Sequence, residues 1–167
     1  MHRRTLVGAR TVDDIVIRRG TIEDAERVSS LVTVLSEEFI VGEFTSEGRS
    51  YFLNEHSPAE VHKRLAGDFR FYLAEADTDL VAVAAIRGNA HLYYLFVSKP
   101  YQGTGLARRM WSRVKEDSMS QGNGGVFTVN ASDYAVAAYE ALGFRRTEPT
   151  QEKNGVLYNP MRYVDAG

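Results

Sequence analysis

The chain has 167 residues, enough for one domain, with 44% hydrophobic residues, 25% charged residues and a formal charge of −2. That balance lacks the basic excess a nucleic-acid partner would require. The absence of cysteine rules out disulfides, thiolate metal sites and a cysteine nucleophile.

The N-terminal stretch "MHRRTLVGARTVDD" has basic residues but no apolar segment, so it does not read as a secretory signal. "DIVIRRG" (14–20) alternates and predicts a first strand. Thr21 with Asp24 forms a capping pattern, and Ala25, Val28, Leu31, Val32, Leu35 and Phe39 recur at helical spacing. Residues 40–57 are mixed and read as irregular or short helical structure. Ser57-Pro58 then opens a second helix, "PAEVHKRLAG". Three strands follow. "RFYLAEA" and "LVAVAAIRG" are joined by Asp77, Thr78 and Asp79, and "HLYYLFV" follows a Gly88-Asn89 turn. The run "LVAVAAI" (80–86) is the longest uninterrupted apolar stretch, far short of the ~20 residues of a membrane helix. A helix over 104 to about 119, a strand "GGVFTVNAS", a short helix "DYAVAAYEAL" stopped by Gly143 and a last strand "GVLYNPMRYV" complete the chain. The order predicts a single α+β domain with a mixed sheet sandwiched by helices, soluble and cytoplasmic.

In "LFVSKPYQGTGLARRMW" (95–111) an apolar strand ends at Lys-Pro, two glycines follow, and a helix begins. Free N–H groups in a helix's first turn favour an anion, and Gly103 and Gly105 let a bulky one approach the backbone. A P-loop would need a Lys after its second glycine, and none follows Gly105. A dinucleotide fingerprint would need a small residue where Arg108 stands and an acidic residue where "FTVN" ends in Asn130.

"QGTGLA" (102–107) resembles the acyl-CoA pyrophosphate loop of the Gcn5-related N-acetyltransferase (GNAT) family, with Gln102, Gly105 and Ala107 on its fixed positions. "NASDYAVAAYEALGF" (130–144) is similar to that family's second signature, and the resemblance extends over about residues 14–163. It implies the GNAT fold, a mixed central sheet of about six to seven strands flanked by about four helices. It also implies an acetyl-CoA-dependent N-acetyltransferase acting on a primary amine of a small molecule or peptide, with no metal and no nucleic-acid or membrane partner; a homodimer is compatible with it.

Residue by residue, the resemblance implies that Leu95, Phe96 and Val97 pair with the pantetheine arm. The backbone of Gln102, Gly103, Thr104, Gly105, Leu106 and Ala107 holds the pyrophosphate. Arg108 reaches a phosphate or stands solvated, and Asn130 bonds pantetheine amides or caps the next helix. Tyr139 protonates the leaving thiolate; its alternative is packing on Ala135 and Leu142. The oxyanion meets a backbone N–H near Val97. The general base falls at His91, where histone-acetylating members carry Glu; Tyr93, Tyr94, Glu37 and Glu38 are rivals. Acceptor walls are expected from 36–62 and 145–160, where Glu37, Glu38, Glu43, Glu47, Phe44, Tyr51 and Phe52 would suit a cation. A non-catalytic acyl-CoA-binding module on the same fold is the alternative.

Overall fold

The computed structural model describes residues 14–167, so the N-terminal stretch read above as non-secretory lies outside it apart from Asp14. Strand β1 (Ile15–Arg19) leads to α1 (Ala25–Phe39), α2 (Ser46–Glu55) and α3 (Pro58–Ala66). A meander of β2 (Phe69–Ala76), β3 (Asp79–Arg87) and β4 (His91–Val97) follows. Then come α4 (Leu106–Ser120), β5 (Val126–Ala131), α5 (Val136–Leu142), the short β6 (Arg145–Arg146) and β7 (Gln151–Lys153), and β8 (Val156–Val164). The sheet order is β1-β2-β3-β4-β5-β8-β6, with β7 on β8. All neighbours are antiparallel except β4 and β5, so the sheet is mixed, as the sequence implies.

The strands are built as their patterns suggest. Gly88 and Asn89 both take positive φ, which matches a type I′ turn and the twist of the strands it joins. Two apolar layers form on opposite faces. Val28, Val32 and Val61 from α1 and α3 cover Phe71, Leu73, Val83, Ala85 and Tyr94. On the other face Leu106, Met110, Trp111 and Val114 of α4 pack with Tyr72, Ala84, Phe127 and Met161. Trp111 meets Phe127, Phe144 and Tyr163 at 5.0–5.3 Å between ring centroids. Each such side chain, fully buried, contributes about 1.5–3 kcal/mol.

Three elements depart from the sequence reading. Residues 46–55, read as irregular or short helical structure, form a regular helix capped by Thr45, whose hydroxyl accepts from the Gly48 N–H at 3.0 Å. The last strand has a partner, β7, across an Asn154-Gly155 turn with φ of 54° and 78°. Helix α4 starts two residues later than expected, because Gly105 takes φ 85° as its N-cap and leaves Thr104 in the loop. The helix α2 and the β7–β8 turn touch through glycines: a Cβ on Gly48 would stand 2.1 Å from the Gly155 carbonyl oxygen.

One buried polar network ties α2 and α3 to β4. His56 is 6% exposed, and its Nδ1 lies 2.7 Å from the Tyr94 hydroxyl. That hydroxyl also accepts from Arg64 Nη1 at 3.1 Å, while the His56 carbonyl accepts from Ser29 Oγ at 2.6 Å. Burial first, and then the Arg64 charge, push His56 down to about 3. An unfolded histidine binds its proton below about pH 6.5, whereas folded His56 stays neutral, so stability must fall as pH drops through this window. Between pH 7 and 5 the loss from this residue should approach about 2 kcal/mol. Urea midpoints of the parent and His56→Gln at both pH values check it. The variant should show a flatter pH dependence, and an equal slope would mean that native His56 takes up its proton freely.

Candidate active site

β4 carries one residue more than β3 at a single place. Ala85 pairs with Tyr94 but Ile86 pairs with Leu92, so Tyr93 is bulged. A bulge bends its strand and ends regular pairing. Tyr93 and Tyr94 consequently both pack on the α1–α3 side. The parallel ladder to β5 has only the rungs His91–Thr128 and Leu92–Val129. Past Leu92 the two strands separate into a slot.

The slot's polar edge is legible from the ladder on the other side. Ser98 N–H donates to the Val81 carbonyl at 2.8 Å, which makes Ala82–Val97 a non-hydrogen-bonded rung. Val97 N–H and C=O therefore point away from β3, toward β5, and those of Leu95, two residues back, do the same. Phe96 turns its backbone to β3 instead. Across the slot, Ala131 ends β5 and is held by Asn159, which is fully buried. Asn159 Nδ2 donates to the Ala131 carbonyl (3.1 Å) and to Asp133 (2.7 Å), and its Oδ1 accepts from Arg146 and Thr150. Asn130 is exposed, and among the described residues its amide has no side-chain hydrogen bond.

The loop after β4 is anchored at both ends by buried side chains, Tyr101 at 2% and Leu106 at 0% exposure. Between them Gln102, Gly103, Thr104 and Gly105 are exposed, and the Thr104 hydroxyl donates to the Tyr101 carbonyl. Gly103 and Gly105 have φ of 72° and 85°, with nothing within 4 Å of the place a Cβ would take. This is a left-handed, open backbone into which side chains would project. The first bond of α4 runs from Arg109 N–H to the Gly105 carbonyl, so the N–H groups of Leu106, Ala107 and Arg108 have no intrahelical acceptor. The dipole adds positive potential there, and the loop fits a pyrophosphate by this geometry. The Arg108 guanidinium lies elsewhere: its Nη2 donates to the Ala141 carbonyl at 2.9 Å and closes the end of α5.

Tyr139 is 8% exposed, with its ring edge-on to Phe144 at 5.5 Å. Its hydroxyl has no hydrogen-bond partner among the described residues, and burial raises its pKa well above the ordinary phenol value. It is thus a fully protonated donor at neutral pH. His91 stands at the closed end of the slot, about 13 Å of strand from Leu95. Its Nδ1 lies 2.7 Å from the Thr128 hydroxyl, and burial, then the Arg87 charge, lower it to about 4. Its rivals fare differently. Burial raises both Tyr93 and Tyr94, and the Tyr94 hydroxyl is engaged by His56 and Arg64. Glu38 is bound to Lys99 at 2.9 Å, and Glu37 is exposed.

A cavity of about 310 Å³ adjoins the end of β5. Glu38, Phe39, Glu43 and Phe44 form one wall, Asp133 and Tyr134 another, and Leu157 closes it. Glu38, Glu43, Phe44 and Leu157 belong to the segments expected to hold an acceptor, whereas Glu47 and Tyr51 lie outside the lining. Tyr134 was missed because "DYAVAAYEAL" reads as one helix. The structure has a single 3-10 turn over Asp133–Ala135 instead, capped by Ser132, which turns Tyr134 outward. The Ser132-Asp133 pair is the signal that could have separated it. His56 gave no signal, as a lone histidine near a helix end. Among the described residues no group of three or more His, Asp and Glu could hold a metal, and no helix is long and apolar enough to cross a membrane.

The acetyltransferase (GNAT) domain family model matches residues 40–164. Comparison with curated protein sequences gives no match. Among solved structures, a GCN5-related N-acetyltransferase from Rhodopseudomonas palustris is 19% identical, with a TM-score of 0.78 over 96% of this chain and 99% of that one. The PaiA N-acetyltransferase of Thermoplasma acidophilum, solved with coenzyme A, is 16% identical, with a TM-score of 0.75 over 90% and 99%. An aminoglycoside 6′-acetyltransferase type Ii is 15% identical, with a TM-score of 0.66 over 89% and 96%. At these identities the likeness speaks for the fold, while the family match covers most of the sequence: the chain belongs to the GNAT acetyltransferase family.

Proposed function

We propose that this protein is a cytoplasmic N-acetyltransferase that moves the acetyl group of acetyl-CoA to a primary amine. The observation that carries the reading is the slot between β4 and β5, open beyond Leu92 and ending at a glycine loop whose N–H groups from Gly103 to Arg108 have no backbone acceptor among the described residues. Bound acetyl-CoA supplies the acyl thioester that the amine attacks. Leu95 and Val97 offer it backbone partners as if to an added strand, with Phe96 holding the strand to β3. The N–H groups of Gly103, Thr104, Gly105, Leu106, Ala107 and Arg108 cradle the diphosphate, while the Gln102 N–H is held by the Lys99 carbonyl at 3.2 Å, and Asn130 serves the opposite edge. The Val97 N–H faces the slot and can hold developing negative charge on the acyl oxygen. Tyr139 gives its proton to the leaving sulfur, and His91, neutral at pH 7 and about 13 Å of strand from Leu95, accepts one from the amine through bridging water. The relative solved with coenzyme A supports the cofactor, and the aminoglycoside-acetylating relative supports an amine acceptor. The cavity beside Tyr134, with Glu43 and Asp133 in its wall, suits an acceptor that is cationic before it loses its proton.

Three measurements test this reading. Acetyl-CoA at 100 times its dissociation constant should add about 2.7 kcal/mol, a rise of about 5–10 °C in Tm. Gly105→Glu should abolish the rise, since it puts a carboxylate into the cradle. An unchanged Tm in the parent would remove acetyl-CoA from the slot.

Tyr139→Phe should lower kcat by about 10²-fold or more and leave acetyl-CoA affinity nearly unchanged. Full activity in this variant would take Tyr139 out of the chemistry. Tight cofactor binding by the parent without transfer to any of a panel of amines would favour an acyl-CoA-binding module instead.

Because His91 stays neutral down to about 4, the parent rate should show no break near pH 6.5 from this residue. His91→Gln should then lower kcat/KM by about tenfold or more at pH 7, below the usual general-base contribution of about 10²–10⁴-fold because the base is so weak. Equal rates in parent and variant would reassign the proton to solvent.

A further inference from the structure

The open end of the slot is bridged by side chains. Gln102 Nε2 donates to the Val97 carbonyl at 3.0 Å, the slot-facing oxygen at the end of β4. Gln102 Oε1 accepts from the Tyr134 hydroxyl at 3.2 Å. The Tyr134 ring stacks on Phe39 at the end of α1, with centroids 4.7 Å apart and planes at 16°. Lys99, two residues past β4, bonds Glu38 at 2.9 Å and lies 6.0 Å over the Phe39 ring. The ends of α1 and β4 and the segment after β5 are thereby joined across the mouth. Glutamine suits the central position, since one amide donates and accepts at once. Tyr134 is 53% exposed, so these contacts are wet and individually weak.

We propose that Gln102 and Tyr134 form a clasp over the slot in the free protein, and that its release gates admission of the acyl-CoA. The proposal rests on the reading of the slot given above. A polar chain laid along β4 needs the strand's slot-facing groups, and the Gln102 amide already holds one of them. The clasp and the ligand therefore compete for the Val97 carbonyl. Apparent affinity is divided by the fraction of molecules in which the clasp is open, so loosening it tightens binding without adding a contact. Phe39 and Tyr134 also line the 310 Å³ cavity, so the same motion moves a wall of the proposed acceptor site. The two sites share a part, and occupancy of one is felt at the other.

The test is binding of coenzyme A to the full chain by calorimetry and stopped flow, for the parent, Tyr134→Phe and Gln102→Ala. Tyr134→Phe keeps the stack and removes only the hydroxyl; Gln102→Ala keeps the backbone N–H and frees the Val97 carbonyl. Both positions are exposed, so the unliganded variants should melt with the parent. Association rate and affinity should rise about 2- to 10-fold in Tyr134→Phe, the range of one neutral hydrogen bond. Gln102→Ala should gain at least as much in association rate. Unchanged or weaker binding in Tyr134→Phe, with a parent that binds coenzyme A, overturns the clasp and leaves the site reading intact. A parent that does not bind coenzyme A overturns both.

Discussion

A single surplus residue in β4 sets the geometry of this molecule. With Tyr93 bulged, the strand can keep its antiparallel ladder to β3 along its whole length and yet leave β5 after two rungs. Without the bulge the parallel ladder could continue to the end of both strands, and Leu95 and Val97 would spend their backbone groups on β5. The bulge also sets which side chains face which layer. Leu95 and Val97 pack toward α4, while Tyr93, Tyr94 and Phe96 pack toward α1 and α3.

Such a distortion persists only where the surroundings hold it. On the α1–α3 side, Arg64 stacks over the Tyr93 ring at 4.8 Å and bonds the Tyr94 hydroxyl, which His56 meets from α2's end. On the other face the Trp111 cluster fixes β5 and β8 through Phe127 and Tyr163. Asn159 then holds the Ala131 carbonyl at the end of β5, and its three other hydrogen bonds tie that point to Asp133, Arg146 and Thr150. The strands beside the slot are thus rigid, and the exposed contacts lie at its mouth. A binding site assembled in this way loses little backbone entropy when filled.

The sequence carried the element order, the Gly88-Asn89 turn and the glycine loop, because each rests on local chemistry: alternation, positive φ, or a cap. The bulge was not legible. "HLYYLFV" has no breaker, and its aromatic residues suit either face. Helix α2 was hidden because only Gly48 in it is fully buried, so no apolar stripe marks it. The Asn154-Gly155 turn was there to be read, since that pair is a strong hairpin signal, but the three-residue β7 before it has no alternation to notice. Among site residues, Arg108 could be placed on the helix from sequence. Its bond to the Ala141 carbonyl depends on how α4 and α5 meet, which no local pattern records.

The contact between Gly48 and Gly155 has a dynamic meaning. Neither α2 nor the β7–β8 turn owns a core: one helix contributes a single buried residue, and the other element is a three-rung ribbon. Their backbones touch where no side chain fits, so neither can open without breaking that contact. The two segments, far apart in the chain, are therefore expected to open together. Hydrogen exchange in both should follow one opening free energy, below that of the β2–β3–β4 meander. The acceptor side of the molecule is in this sense a separable layer resting on a more permanent frame.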